Sequence, residues 1–285
     1  MAIASPGESS SDAFADVEGG RIHYRIDGEA SAPVVVLSNS LGTDLAMWDS
    51  QVAALSRDFR VVRYDTRGHG RSTATPGPYS VERLGRDAIA LLDRLEIQQA
   101  HFCGLSLGGI TGMWLGIHAP NRLKRLVLAN TAARIGPPEN WNARIAKVQA
   151  GGMGAISQAV LERWFTADFI AETPATLTAM RQMMERTPAE GYIACCAAIR
   201  DMDQRDAIAA IGAPTLVIAG TQDVATPAAD GRFLAERIKG SSYVELDAAH
   251  LSNIEAAPAF TAALLAFLDT QEMHPWTTAT ATTKE

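Results

Sequence analysis

Disulfide, metal, nucleic-acid and membrane chemistry all lack their usual residues in this chain. Only three cysteines occur in 285 residues, Cys103, Cys195 and Cys196, and two of them are adjacent. Adjacent cysteines rarely pair with each other, and this spacing builds neither a disulfide framework nor a metal site. They are expected as small buried hydrophobes in a reducing cytoplasm. Lys and Arg number 25 against 32 Asp and Glu, for a net charge of −7, and no basic run appears. Nucleic-acid binding needs a basic face, so that partner class is excluded. An anionic substrate would have to be attracted by a few local cations and not by the overall field. No apolar stretch is long enough to span a bilayer. Residues 1–20 contain no basic residue and no apolar h-region, so no signal peptide is read there.

What the chain does have is a large apolar fraction, 47%, arranged in alternating strand and helix patterns. Arg21–Ile26 alternates like a half-buried strand and ends on the turn signal Asp27-Gly28. Val34–Leu37, Arg60–Tyr64, Ala100–Cys103, Leu126–Ala129, Thr215–Ala219 and Tyr243–Leu246 read as strands, several of them continuous apolar runs typical of buried parallel strands. Ser80–Leu95 has helical spacing with Ser80 as N-cap, Leu107–Ala119 is a second helix, and Phe260–Leu268 a last one. This alternation implies an α/β fold: a mostly parallel central sheet with helices on both faces. Between 133 and 211 it stops. That stretch is helical, rich in Met, Ala and Trp, and punctuated by Pro137, Pro138, Pro174 and Pro188. It reads as a helical lid inserted between two strands. The core is then expected at 14–132 and 212–270, with disordered extensions at 1–13 and 271–285.

The stretch Gly104-Leu105-Ser106-Leu107-Gly108 is a G-x-S-x-G sequence between a strand and a helix. In that context the serine sits on a sharp, strained turn and its neighbours must be small. A serine hydroxyl needs a base as it attacks. His23 and His101 lie in strands, His118 near a helix C-terminus, His274 in the tail and His69 in a Gly-rich loop with Asp65 and Arg67. His250 follows a late strand, where open α/β sheets place functional groups, and is the expected base. Asp223, just past the strand Thr215–Ala219, is the expected acid, completing the order Ser, Asp, His. Asp230 falls inside a helix, Asp247 is too close to His250, and Asp203 and Asp206 belong to the lid or its return. The oxyanion donors are expected to be the backbone N–H groups of Leu107 and, from the loop Leu37–Gly42, of Leu41.

These parts resemble the α/β-hydrolase superfamily from about Val17 to Leu268. More narrowly, the chain resembles the β-ketoadipate enol-lactonases of bacterial aromatic catabolism. That likeness rests on Leu37-Ser38-Asn39-Ser40-Leu41-Gly42-Thr43, Met47-Trp48-Asp49, Arg63–Gly70 and His101–Ser106, and on the lid stretches Asn130–Gly136, Trp141–Ile145, Pro188–Tyr192 and Cys195–Arg200. Leu107 departs from the methionine common in the family, a tolerated apolar exchange. Both termini are longer than the family core. The resemblance implies hydrolysis of 3-oxoadipate enol-lactone, a small anionic lactone, to 3-oxoadipate, with no metal and no organic cofactor. The substrate carboxylate then needs a cation. Arg134 is placed first for this, ahead of Arg144, with Trp141 packing on the lactone ring. Competing readings are a broad-range esterase, a cofactor-free perhydrolase, and a ligand receptor on a hydrolase scaffold. Composition leaves the oligomeric state open.

Overall fold

The computed structural model describes residues 12–269. The extensions expected at 1–13 and 271–285 lie outside them, except for Asp12 and Ala13, and Ala13 already opens the first strand. In chain order the elements are β1 (Ala13–Val17), β2 (Gly20–Asp27), β3 (Val34–Ser38), α1 (Asp49–Leu55), β4 (Arg60–Tyr64), α2 (Val81–Arg94), β5 (Ala100–Leu105), α3 (Leu107–His118) and β6 (Leu123–Ala129). Then come α4 (Pro138–Gly151), α5 (Gly154–Trp164), α6 (Ala167–Glu172), α7 (Pro174–Arg186) and α8 (Ala189–Asp201), all before β7 (Thr215–Gly220). The core closes with α9 (Ala228–Arg237), β8 (Ser242–Leu246), α10 (Ser252–Glu255) and α11 (Ala257–Leu268).

Eight strands form one sheet in the order β1-β2-β4-β3-β5-β6-β7-β8. β1 and β2 run antiparallel to their neighbours, and every pairing from β4 to β8 is parallel. Burial on both faces explains the sequence of the central strands. β5 and β7 are buried at every position, and their side chains are apolar or small except His101 and Thr215. β2 and the edge strand β8 are only partly buried, which is why their polar and apolar residues mix. α2 is capped as its sequence suggests, with the Arg83 N–H donating to Ser80 Oγ at 3.2 Å.

The stretch expected as a lid holds five α-helices, α4 to α8. Its prolines mark helix starts: Pro138 and Pro174 each open a helix, and Pro188 precedes α8. Trp141, Trp164, Phe165, Met180, Met183 and Met184 are all buried and belong to the apolar core. The parallel strands put the C-terminal ends of β3, β5, β6, β7 and β8 along one edge of the sheet. The loops after those ends carry the residues that matter next.

Candidate active site

Ser106 links β5 to α3 with φ 56° and ψ −111°. An L-residue pays for this backbone, and only tight surroundings hold it there. The Ser106 N–H donates to Ala129 O at 2.9 Å, and Thr131 Oγ1 donates to Ser106 O at 2.8 Å. The flanking glycines allow a close approach. A Cβ on Gly104 would stand 2.1 Å from Gly108 O, and one on Gly108 would stand 2.1 Å from Ser38 O. Both distances are impossible, so larger residues would push the elbow apart.

The loop after β8 brings His250 to this serine, and the loop after β7 brings Asp223 to His250. Ser106 Oγ and His250 Nε2 are 2.9 Å apart, and His250 Nδ1–H donates to Asp223 Oδ2 at 2.8 Å. All three are buried. Because the carboxylate can only accept, the imidazole carries its proton on Nδ1 and turns a lone pair toward Ser106. Burial alone would raise the Asp223 pKa. The attraction of His250 once its ring is protonated, its hydrogen bond, and bonds from Thr226 and Asn130 outweigh that and hold it at about 2. Asp247 accepts instead from Gln222 and Thr221, and Asp230 lies inside α9.

Leu107 and Leu41, the residues expected to supply the oxyanion donors, both lie beside the serine. Leu107 opens α3, so its N–H has no acceptor within the helix. Leu41 lines the same cavity as Ser40, Ser106 and His250. Its two neighbours are committed: Ser40 N–H to Met47 Sδ at 3.3 Å, and Gly42 N–H to His69 Nε2 at 2.9 Å. His69 Nδ1–H donates to Arg67 O at 3.2 Å, which fixes the tautomer that accepts from Gly42. The Gly-rich loop is thus the buttress of the Leu41 loop. Its own frame is Asp65, which accepts from His23 Nδ1 at 2.7 Å and from Leu45 N–H at 2.8 Å, and Arg67, which pairs with Asp87 through two bonds.

Burial holds His69 neutral, with its pKa pushed down to about 4, and lowers His101 to about 4 as well. Unfolded histidine takes up a proton near pH 6.5, so between there and about pH 4 the unfolded chain binds more protons than the native one. Stability is therefore complete above that window and falls as the pH drops through it, by on the order of 3 kcal/mol for His69 alone. Urea unfolding at pH 7.5 and pH 4.5 measures this. His69→Gln, which keeps an acceptor but does not titrate, should lose less on acidification. An equal loss in both proteins would remove His69 as the cause.

The cavity above Ser106 encloses about 670 Å³. Its wall on the insertion side carries three cations, Arg144, Lys147 and Arg163. Arg144 lies over the Trp141 ring, 5.0 Å from its centroid, and the Trp141 N–H is tied to Ile135 O at 2.8 Å. Burial and the nearby Arg144 charge lower the Arg163 pKa. Of the two arginines expected at the substrate, the cavity wall holds Arg144 and not Arg134. Arg134 is not part of the cavity wall, and its guanidinium lies 3.8 Å from Asp203, which Arg205 also engages. Arg134 precedes α4, whereas Arg144 sits on the face of α4 that turns inward.

Lys147 and Arg163 escaped the sequence reading, although helical spacing carries the signal. Asn140, Ala143, Arg144 and Lys147 follow one face of α4, and Ile156, Ala159, Val160 and Arg163 one face of α5. Asn130 also escaped it. With φ 43°, it donates through Nδ2 to Asp223 Oδ2 at 3.0 Å and to Ala249 O at 3.1 Å. Among the described residues no group of three His, Cys, Asp or Glu side chains is placed to hold a metal ion.

Comparison with known proteins agrees with the fold. The pattern of the alpha/beta hydrolase fold family matches residues 33–257. The 3-oxoadipate enol-lactonase 2 of Acinetobacter baylyi is 45% identical over 247 residues, covering 87% of this chain and 92% of that protein. The 3-oxoadipate enol-lactonase 1 of the same organism is 42% identical, covering 85% and 91%. The crystal structure of the enol-lactonase from Burkholderia xenovorans LB400 superposes with a TM-score of 0.89 at 53% identity, covering 90% of this chain and 99% of that one. By sequence pattern, relatives and architecture together, this chain belongs to the α/β-hydrolase family.

Proposed function

We propose that the protein opens 3-oxoadipate enol-lactone to 3-oxoadipate, with Ser106 as nucleophile, His250 as base and Asp223 as its orienting acid. The observation that carries this reading is the hydrogen-bonded chain Ser106–His250–Asp223, opening on a cavity whose far wall holds Arg144. The enol-lactonase names of the relatives supply the substrate.

Ser106 Oγ attacks the lactone carbonyl while His250 Nε2 takes its proton. The oxyanion is stabilised by the N–H groups of Leu41 and Leu107. Collapse breaks the ring C–O bond, and His250 returns the proton to the departing enol oxygen. The enol stays tethered to the acyl-enzyme and becomes a ketone, which removes the nucleophile that could close the ring again. His250 then deprotonates water, which attacks the acyl carbon and releases Ser106 and the new carboxylate.

Arg144 holds the carboxylate that the substrate already carries. Its guanidinium is pre-oriented by Trp141, which favours a paired, charge-assisted contact. Net charge −7 argues against nucleic acid or an anionic membrane as partner. Three buried free cysteines fit a reducing cytoplasm.

The direct test is to mix the protein with 3-oxoadipate enol-lactone and follow loss of the conjugated chromophore in the ultraviolet. Hydrolysis of simple aryl esters with none of the lactone would favour a general esterase. Arg144→Ala should lower kcat/KM on the lactone about ten- to a hundredfold, the worth of one charge-assisted contact. Its activity on a neutral aryl ester should hardly change. Equal losses on both substrates would take the carboxylate away from Arg144.

A further inference from the structure

Glu255 ends α10, five residues after His250, and takes no part in the reaction described above. Its carboxylate bridges two separate parts of the chain. Oε2 accepts the Ala249 N–H at 2.8 Å. Oε1 accepts the Thr166 N–H at 3.1 Å and is also bound by the Thr166 hydroxyl. Thr166 caps α6 in the helical insertion, and Ala249 immediately precedes His250. On the other side of the histidine, the Leu251 N–H donates to Trp164 O at 3.0 Å. Both backbone neighbours of His250 are therefore fastened to one short stretch of the insertion, residues 164–166. Trp164 itself lines the cavity.

We propose that Glu255 is a positioning residue: it locks the His250 turn to the helical insertion, so that seating of the insertion on the core sets the Ser106–His250 hydrogen bond. This rests on the reading of Ser106 as nucleophile and His250 as base. The chemistry favours a carboxylate at this place. Three donors converge on it, two backbone N–H groups and one hydroxyl, and only an acceptor-only group satisfies all three. Without it, the Ala249 N–H loses its partner and the turn is held from the insertion only through Leu251. Base and nucleophile must stay aligned within a fraction of an ångström, and a small slip of the imidazole is costly in rate. The same residues explain how a wall that binds substrate can report to the base: α4 and α5 carry Arg144 and Trp164, and α5 leads directly into Thr166.

The test compares Glu255→Ala, Glu255→Gln and Thr166→Val with the unaltered protein. Three quantities are measured: kcat and KM on the enol-lactone, the same on a neutral activated aryl ester, and the rate at which a fluorophosphonate labels Ser106. Circular dichroism gives the folded fraction of each protein. Glu255→Ala should lower kcat on both substrates, and the labelling rate, about thirty- to a hundredfold with little change in KM. Glu255→Gln keeps an oxygen for Ala249 and an amide that can donate to the Thr166 hydroxyl but opposes the Thr166 N–H, so it should recover only part of the rate. Thr166→Val removes the hydroxyl bond to Glu255, together with the cap to the Phe169 N–H, and should cost about threefold in kcat. It also keeps the proposal falsifiable if Glu255→Ala does not fold. A folded Glu255→Ala protein that labels at the normal rate overturns the proposal, as does a loss confined to KM. If only Thr166→Val folds, unchanged kcat in that variant overturns it. Failure to hydrolyse the lactone, with labelling still dependent on Glu255, would overturn the substrate assignment and leave this one standing.

Discussion

Ser106→Ala is expected to slow lactone opening by about a millionfold while leaving the fold intact. Alanine has no oxygen to form the acyl-enzyme, so both halves of the reaction lose their covalent route. The backbone has no reason to move. The strained φ of 56° suits alanine no worse than serine, and the bonds that hold the elbow run through backbone atoms of residue 106. The Leu41 and Leu107 N–H groups and Arg144 remain, so the variant should still bind the lactone and keep a residual rate from orientation and oxyanion stabilisation. Stopped-flow absorbance at excess enzyme measures the first turnover, and intact-protein mass spectrometry shows whether an acyl adduct accumulates. Turnover within about tenfold of the unaltered protein would remove Ser106 from the mechanism.

Legibility in the sequence followed physical constraint. β3, β5, β6 and β7 are buried between helix layers, and their apolar runs announce it. Ser106 was legible because its backbone demands small neighbours at 104 and 108, and that demand is written as glycine. His250 and Asp223 were legible through place, since both follow strands at the same edge of a parallel sheet. β1 was not. Its five residues, Ala13–Val17, lie at the sheet edge beside a Ser-rich stretch and gain strand character only from pairing with β2. α1 was also missed, being a seven-residue helix with two buried positions and no capping side chain. Asn130 left no local trace, because its role comes from a left-handed turn that swings its amide toward residues 93 and 119 positions away. The two arginines part for a related reason. Proximity in sequence placed both at the mouth of the insertion, whereas Arg144 reaches the cavity through its phase on α4 and Arg134 lies before that helix, beside Asp203.

The Asp223→Asn variant should lose about ten-thousandfold in kcat, by reversing the tautomer of His250 and not by loosening the site. Asp223 Oδ1 accepts the backbone N–H groups of Ala225 at 2.7 Å and Thr226 at 2.9 Å. Oδ2 accepts from Thr226 Oγ1 at 2.8 Å, Asn130 Nδ2 at 3.0 Å and His250 Nδ1 at 2.8 Å. An asparagine must put its NH₂ at one of these two positions. At the first it would face two fixed backbone donors. At the second the Thr226 hydroxyl can rotate to accept and His250 can offer a lone pair, leaving only the Asn130 amide opposed. The second is therefore favoured. It moves the imidazole proton to Nε2, where the ring donates to Ser106 Oγ instead of taking its proton. The base is then present, well placed and wrongly protonated. The same reasoning predicts a partial rescue by Asn130→Asp in the Asp223→Asn background. A carboxylate at 130 would accept from the new amide and remove the opposed donors, although it would also lose its bond to Ala249 O. Measurement of kcat for the two single variants and the double variant on the enol-lactone closes the cycle, with unfolding midpoints to separate rate from stability. An Asp223→Asn protein within about tenfold of normal kcat would mean that His250 keeps its tautomer without the carboxylate, and the assignment of Asp223 would fall.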